Sequence, residues 1–292
     1  MSTVSVTKTP QQIMFLKWRS QSGYFILHVV MTLLAGAFLM PLVWVASTSL
    51  KTPGQVFVTP IEWLPTVPQW KNYAEVFTRL PFHLFIFNSL FVSIMGTLGM
   101  LVSSVFVAFS LSRLRWPGRD VLFSVLLVTM MLPGVVTLIP VFILFTKIGW
   151  VGTFYPLWVP SWLGGAFYIF LMRQYMMTLP LELDEAARID GASNLRVLLQ
   201  VIAPLCGPAI ITVLIFSFLY HYNDFMHPLI YLSKNEMFTL PLGLLWFKGR
   251  FGNHWHLVMA ASMVTVVPPL VIFGVAQRYF IQGSQMTGLA GR

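Results

Sequence analysis

The chain has 292 residues, of which 57% are hydrophobic and 9% charged, with a formal net charge of +9 and a mean hydropathy of +0.77. Soluble domains carry about 25% charged residues, so this sequence has too little charge to cover a water-facing surface, and a bilayer must solvate part of it. The positive charge forms no dense basic block and comes with no zinc-ligand spacing or aromatic-basic RNA motif, which argues against a nucleic-acid partner. A single cysteine, Cys206, permits no intrachain disulfide and no thiolate metal cluster, and reads as a small packing residue.

A helix needs about 20 apolar residues to cross a bilayer. Runs of that kind predict six spans, near 24–46, 85–111, 122–145, 155–177, 205–230 and 257–279, in one all-α polytopic helical bundle. No internal repeat divides the chain, so 1–292 reads as a single domain. The first span follows a basic, polar leader with Lys8, Lys17 and Arg19. It is too long for a cleaved signal segment and lacks a small-x-small site at its end, so a retained helix is expected.

Residues 51–80 follow, punctuated by Pro53, Pro60, Pro65 and Pro68 and carrying Trp63 and Trp70, a pattern of loops and short helices at a membrane interface. Asn88 stands near the start of the second span, where a polar side chain caps a helix or lines a path. The short loop with Arg113, Arg115 and Arg119 obeys the positive-inside rule if it is cytoplasmic, which puts both termini on the same, cytoplasmic side. Pro41, Pro133, Pro140, Pro160, Pro268 and Pro269 interrupt the spans and read as kinks. In the fifth span Asp224 lies among His221, Tyr222, Asn223 and His227. An ionisable group there either lines an aqueous path or orients the helix at the interface.

The polar cluster of the chain lies between the fourth and fifth spans, within residues 180–204. Good helix formers run from Glu182 to Ile189 behind Pro180, with Glu182, Asp184 and Glu185 in the first turn, where the helix dipole favours acidic groups. Gly191 can take the left-handed conformation that ends this helix, and Ser193 can cap a second one that runs toward Pro204.

Glu185, Ala186, Ala187, Gly191 and Pro204 stand at the spacing of the EAA loop of ABC importer permeases, with Val201 and Ala203 at its Ile and Leu positions. The chain resembles the carbohydrate branch of that family, the maltose-transporter-like, binding-protein-dependent permeases. Further matching stretches are Asn88–Ser89, Ala108–Arg113, Trp116–Arg119, Leu132–Gly134, Arg173–Gln174, Ala187–Ser193, Asn223–Phe225 and Gln277–Phe280 with Gly283. The resemblance implies a permease subunit of an ATP-driven sugar importer in the inner membrane, lipid-embedded and paired with a second homologous permease. It also implies two ATPase subunits, which bind ATP and magnesium so that this chain holds no cofactor, and an extracytoplasmic solute-binding protein. Glu185, Ala186, Ala187, Arg188, Asp190 and Gly191 would then form the coupling helix that docks in a groove of an ATPase, and Asn88, Asn223 and Asp224 would be candidates for the sugar path. A neutral oligosaccharide is the default cargo of the branch. Lys51, Lys71, Arg79, Lys147, Lys234, Lys248 and Arg250 on the predicted outer side outnumber Glu62, Glu75 and Glu236, a field that suits an anionic sugar or an acidic patch on the docking protein.

The chain has no Gly-x-x-x-x-Gly-Lys-Ser/Thr phosphate loop, no His-Glu-x-x-His and no Gly-x-Ser-x-Gly, so it shows no site of its own for ATP, metalloprotease or hydrolase chemistry. An ion-coupled secondary transporter is the rival reading, for which only Asp224 speaks. An intramembrane enzyme needs paired catalytic groups deep in the spans, which His28 alone does not supply. The topology has a direct test. In a Cys206→Ser background, Ser193→Cys should react with impermeant thiol reagents only in inside-out vesicles and Gln69→Cys only from outside. The opposite labelling would invert the orientation.

Overall fold

The computed structural model describes the backbone of residues 10–289 and the side chains of residues 23–275. The leader cations Lys8, Lys17 and Arg19 and the matches at Gln277–Phe280 and Gly283 therefore lie outside the described side chains.

Every regular element among the described residues is helical. In chain order the helices are α1 (Pro10–Ser49), α2 (Lys71–Arg79), α3 (Phe82–Arg113), α4 (Arg119–Thr129), α5 (Gly134–Lys147), α6 (Tyr155–Trp158) and α7 (Ala166–Met177). Then come α8 (Glu182–Ile189), α9 (Asn194–Arg196), α10 (Ala203–Leu205), α11 (Gly207–Tyr222), α12 (Met226–Tyr231), α13 (Leu240–Phe251) and α14 (Trp255–Leu289). Three helical stretches are long and apolar enough to cross a membrane unbroken: Gly23–Ser49, Phe82–Arg113 and Trp255–Val275. Two bent pairs raise the number to five if each pair counts as one span.

The other predicted spans are not straight helices. Within 122–145, α4 and α5 meet at 99°. Met131 and Leu132 close α4 with tight bonds to Val128 and Thr129, of 3.0 and 3.2 Å. Pro133 then takes an extended conformation, having no amide to continue the ladder. Within 155–177, a 3-10 turn over Val159–Leu163 gives way to Gly164 at φ 102° before α7 begins. In 205–230, Asn194–Leu205 and α11 bend by 82° around Cys206, and Asn223–Phe225 separate α11 from α12. Pro41, Pro140, Pro268 and Pro269, by contrast, stay inside continuous helices.

α3 is the axis of the bundle and packs against α11, α7 and the Val159–Leu163 turn. At about 1.5 Å per residue, its 32 residues separate the two ends of the bundle by roughly 48 Å. Small residues let its neighbours approach, as expected in a medium where van der Waals packing replaces the hydrophobic effect. A Cβ on Gly96 would lie 2.4 Å from the His221 ring, and one on Gly99 would lie 2.2 Å from Trp162. The contacts are polar as well as close. Ser161 Oγ and His221 Nε2 are 2.8 Å apart, Ser103 Oγ donates to the Ser161 carbonyl at 3.1 Å, and Trp162 Nε1 donates to the Met95 carbonyl at 3.1 Å. The Ser103 and Trp162 bonds fasten the broken fourth segment to α3, and the Ser161–His221 contact ties it to α11.

At the α13 end, Phe82, Phe85, Tyr222, Phe247 and Leu257 form one core, and the connecting segment is tied down by side chains. Asn72 donates to the carbonyls of Ser49 and Lys51 at 2.8 and 2.9 Å. Lys51 is fully buried, its ammonium on the Glu62 carbonyl and 4.4 Å from the centre of the Trp44 ring. Lys51 is therefore withdrawn from the outer surface, where the sequence counted it among the positive charges, and Arg79 is paired with Glu75.

At the opposite end Ala108, Phe109, Met172, Met176, Val197, Ile202 and Cys206 form a second core, which seats the cysteine as an apolar packing residue.

Candidate functional site

The second core lies under α8, and one buried cation organises the junction. Arg113 is the last residue of α3 and is 6% exposed. Its guanidinium donates from Nη2 to the carbonyl of Met176, which also accepts the Leu179 amide, and at 2.9 Å to that of Leu179, just beyond α7. Nη1 reaches the Pro180 carbonyl at 3.4 Å and Asp184 Oδ2 at 3.2 Å. One side chain thus joins the end of α3, the end of α7 and the first turn of α8. Arg173 adds a second tie, from its Nε to the Leu111 carbonyl at 3.2 Å.

Asp184 is 2% exposed, and with it the acidic cluster divides into two faces. Asp184 and Ala187 point toward the bundle, Ala187 packing on the second core. Glu182, Glu185, Ala186, Arg188, Ile189, Asp190 and Gly191 are exposed. Ile189 is 86% exposed, a large apolar side chain held away from the bundle beside Glu185 and Ala186.

The turn after α8 has a specific construction. The Ala192 amide returns to the Ala187 carbonyl at 2.9 Å and the Gly191 amide to the Arg188 carbonyl at 3.0 Å, the paired bonds of a Schellman cap. This geometry requires Gly191 at φ +79°, although a side chain there would meet no neighbouring atom within 4 Å. Ser193 then caps the next helix, its Oγ accepting from the Arg196 amide at 3.4 Å. Beyond α9 the ladder shifts to a π-helical stretch over Val197–Ile202, just before Pro204, whose missing amide cannot maintain the regular pattern. Leu195 in α9 and Leu199 in the π-helical stretch are also exposed, at 54% and 52%.

The pathway candidates occupy different settings. Asn88 is buried and neither caps α3 nor faces open space. Its Nδ2 donates to the carbonyls of Glu236 and Phe238 at 2.8 and 3.1 Å, and the neighbouring Ser89 Oγ accepts from the Leu240 amide at 2.7 Å. Together they fasten the segment before α13 to α3. Asp224 sits in the break between α11 and α12. There it accepts from the His227 amide at 3.2 Å, and its Oδ2 lies 2.9 Å from His227 Nδ1, while Asn223 beside it is exposed. The sequence reading missed the Arg113–Asp184 pair and the outward Ile189. The acidic residue just ahead of the Glu-Ala-Ala stretch and the arginine ending the second span were its only signals.

An all-α bundle with several apolar spans and a capped helix–turn–helix at one end defines a polytopic membrane protein. Residues 96–284 match the family model described as binding-protein-dependent transport system inner membrane component, and the chain belongs to that family of ABC importer permeases. The sulfoquinovosyl glycerol transport system permease SmoH of Agrobacterium fabrum is 31% identical, over 87% of this chain and 89% of that protein. The arabinooligosaccharides transport system permease AraQ of Halalkalibacterium halodurans is 33% identical, over 78% of this chain and 81% of that one. A chain in the crystal structure of a bacterial ABC transporter that imports the acidic polysaccharide alginate has the same fold. The TM-score is 0.78 at 23% identity, with 94% of this chain and 100% of that chain covered.

The Schellman cap gives a prediction. Gly191→Val has room for its side chain but forces a β-branched residue into the left-handed region, a strain of about 1 to 2 kcal/mol. Substrate uptake by the reconstituted transporter should fall while the variant still inserts in the membrane, whereas Gly191→Asn, a residue that accepts the left-handed conformation of a helix C-cap, should have a much smaller effect.

Proposed function

We propose that this chain is the permease subunit of an ATP-driven carbohydrate importer and that the exposed face of α8 is its coupling surface toward an ATPase subunit. The observation that carries the reading is the two-faced helix. Asp184 and Ala187 are committed to the bundle, while Glu185, Ala186, Arg188 and Ile189 stand free on a scaffold held to α3 by a buried ion pair. A short helix with an apolar knob and flanking charges suits docking in a groove of a partner. The small Ala186 permits close approach, and Glu185 and Arg188 supply orienting charge.

In this reading the broken segments complete six spans, with α8 and both termini on the cytoplasmic side. A second homologous permease shares the path, two ATPase subunits bind ATP and magnesium, and an extracytoplasmic solute-binding protein delivers sugar at the α13 end. Closure of the ATPases pushes on α8, and because Arg113 links α8 to α3, the push turns the long axis helix and reorients the bundle as a rigid body. Asn223 and Asp224, in the break between α11 and α12, are the candidates for the sugar path. Asn88 contributes to it by holding the α13 segment in place. The curated relatives named for sulfoquinovosyl glycerol and arabinooligosaccharides support a carbohydrate cargo. Asp224, the residue that spoke for ion coupling, spends its carboxylate on His227.

The test uses two acidic residues on the same helix. Glu185→Lys, beside Ile189 on the docking face, should reduce co-purification of the ATPase subunit strongly. Glu182→Lys, one turn earlier and nearer the α7 junction, should do so much less. Equal retention of the ATPase by both variants would mark Glu185 as an ordinary solvated residue and remove the coupling surface.

A further inference from the structure

We propose that the start of α4 is a binding site for an anionic phospholipid, with the headgroup phosphate at Arg115 and Arg119 and an acyl chain along one stripe of α4. The loop after α3 and the first turn of α4 border a shallow, open recess of about 440 Å³, lined by Arg115, Trp116, Gly118, Arg119, Asp120 and Val121. A second recess, lined by Asp120, Val121, Ser124, Val125 and Val128, shares two of those residues and continues it along the helix. The two differ in character, the first charged and the second almost wholly apolar. Val121, Val125 and Val128 recur at the spacing of one helical face and are 69%, 54% and 59% exposed. A charged mouth that opens into an apolar groove fits an amphiphile, whereas a soluble anion would use only the mouth.

The charges favour an anionic headgroup. Arg115 is exposed and makes no hydrogen bond or ion pair among the described residues. Arg119 gives its Nε to Asp120 at 2.9 Å and its Nη1 to the Leu114 carbonyl at 3.3 Å, which leaves Nη2 without a partner among the described residues. Arg173 stacks 3.9 Å from the centre of the Phe123 ring on the same helix and adds to the field. Asp120, the one acid at the mouth, is already paired. Arg113 takes no part, being buried with Asp184. A phosphatidylcholine headgroup would bring its own cation into this positive field, whereas phosphatidylglycerol would not. Trp116 is fixed at the rim, its Nε1 donating to the Ser110 carbonyl at 3.3 Å, and such an indole suits the headgroup level of a bilayer.

Trp116 also supplies the readout. The full-length chain, with the subunits that co-purify with it, is placed in phosphatidylcholine nanodiscs containing increasing fractions of acyl-brominated phosphatidylglycerol or acyl-brominated phosphatidylcholine. The Trp116 signal is taken as the difference from Trp116→Phe. Brominated phosphatidylglycerol should quench at a lower mole fraction than brominated phosphatidylcholine. Arg115→Gln and Arg119→Gln should each raise its half-quenching fraction about fivefold, from about 1 kcal/mol per basic residue near an anionic surface. Val125→Phe fills the groove without touching the charges and should also raise it. Millimolar inorganic phosphate should not compete. Equal quenching by the two lipids would reduce the site to an ordinary lipid boundary and overturn the proposal. Quenching by neither would mean that a protein partner covers this face, and relief by inorganic phosphate would mean a phosphate site without a lipid groove. Either result also overturns it.

Discussion

The ion pair between Arg113 and Asp184 is the constraint on which the arrangement at the α8 end depends. Both side chains are almost completely removed from solvent, at 1% and 3% exposure. Desolvating two charges costs several kcal/mol per ion. The guanidinium offsets part of that by donating also to the carbonyls of Met176, Leu179 and Pro180, while Arg113 Nε and Asp184 Oδ1 have no partner among the described residues. Removing either partner would strand a buried charge, at a cost of about 3 to 5 kcal/mol. The consequence is mechanical. α8 is short, and its position is set by the Val197–Ile202 stretch it packs on together with Arg113, the last residue of α3, a 32-residue helix that runs to the other end of the bundle.

The other end is governed by the same logic with neutral groups. Asn88 and Ser89, near the start of α3, hold the segment before α13, and Asn72 holds the end of α1. Between the two ends, Gly96 and Gly99 allow His221 and Trp162 to seat against α3, so the broken helices are packed on one continuous rod. In an apolar medium an interruption is tolerated where neighbours satisfy the freed backbone groups. Ser103 does that for the Ser161 carbonyl at the break before α7. Breaks at α4–α5, before α11 and before α12 thus surround an unbroken centre.

What the sequence made legible was local. Gly191, Ser193 and the acidic first turn of α8 act within a few residues of themselves, and the helix–turn–helix they predict has those caps. The long uninterrupted spans were legible for the same reason, since a run such as Phe82–Arg113 needs only its own composition to be helical. The break at Pro133 was not, because a proline in an apolar run reads alike whether the helix bends gently, as at Pro140, or turns by 99°. Long-range pairs were hidden altogether. Arg113 and Asp184 are 71 residues apart, and Asn88 meets carbonyls 148 and 150 residues away. The sequence left Asn88 open between a cap and a path residue and counted Lys51 among the outer charges, whereas their neighbours in space bury both, Asn88 on the segment before α13 and Lys51 on the Glu62 carbonyl.

The account's central claim is that α8 is positioned through α3 by the Arg113–Asp184 pair. A double-mutant cycle over Arg113→Gln, Asp184→Asn and the two together, read out as the dissociation constant of the ATPase subunit from the reconstituted permease, tests it most directly. The account predicts that each single variant weakens association. The double variant should fall short of the sum by a coupling free energy of about 1 to 3 kcal/mol. Single effects that add to within about 0.5 kcal/mol would show two independent residues and contradict it.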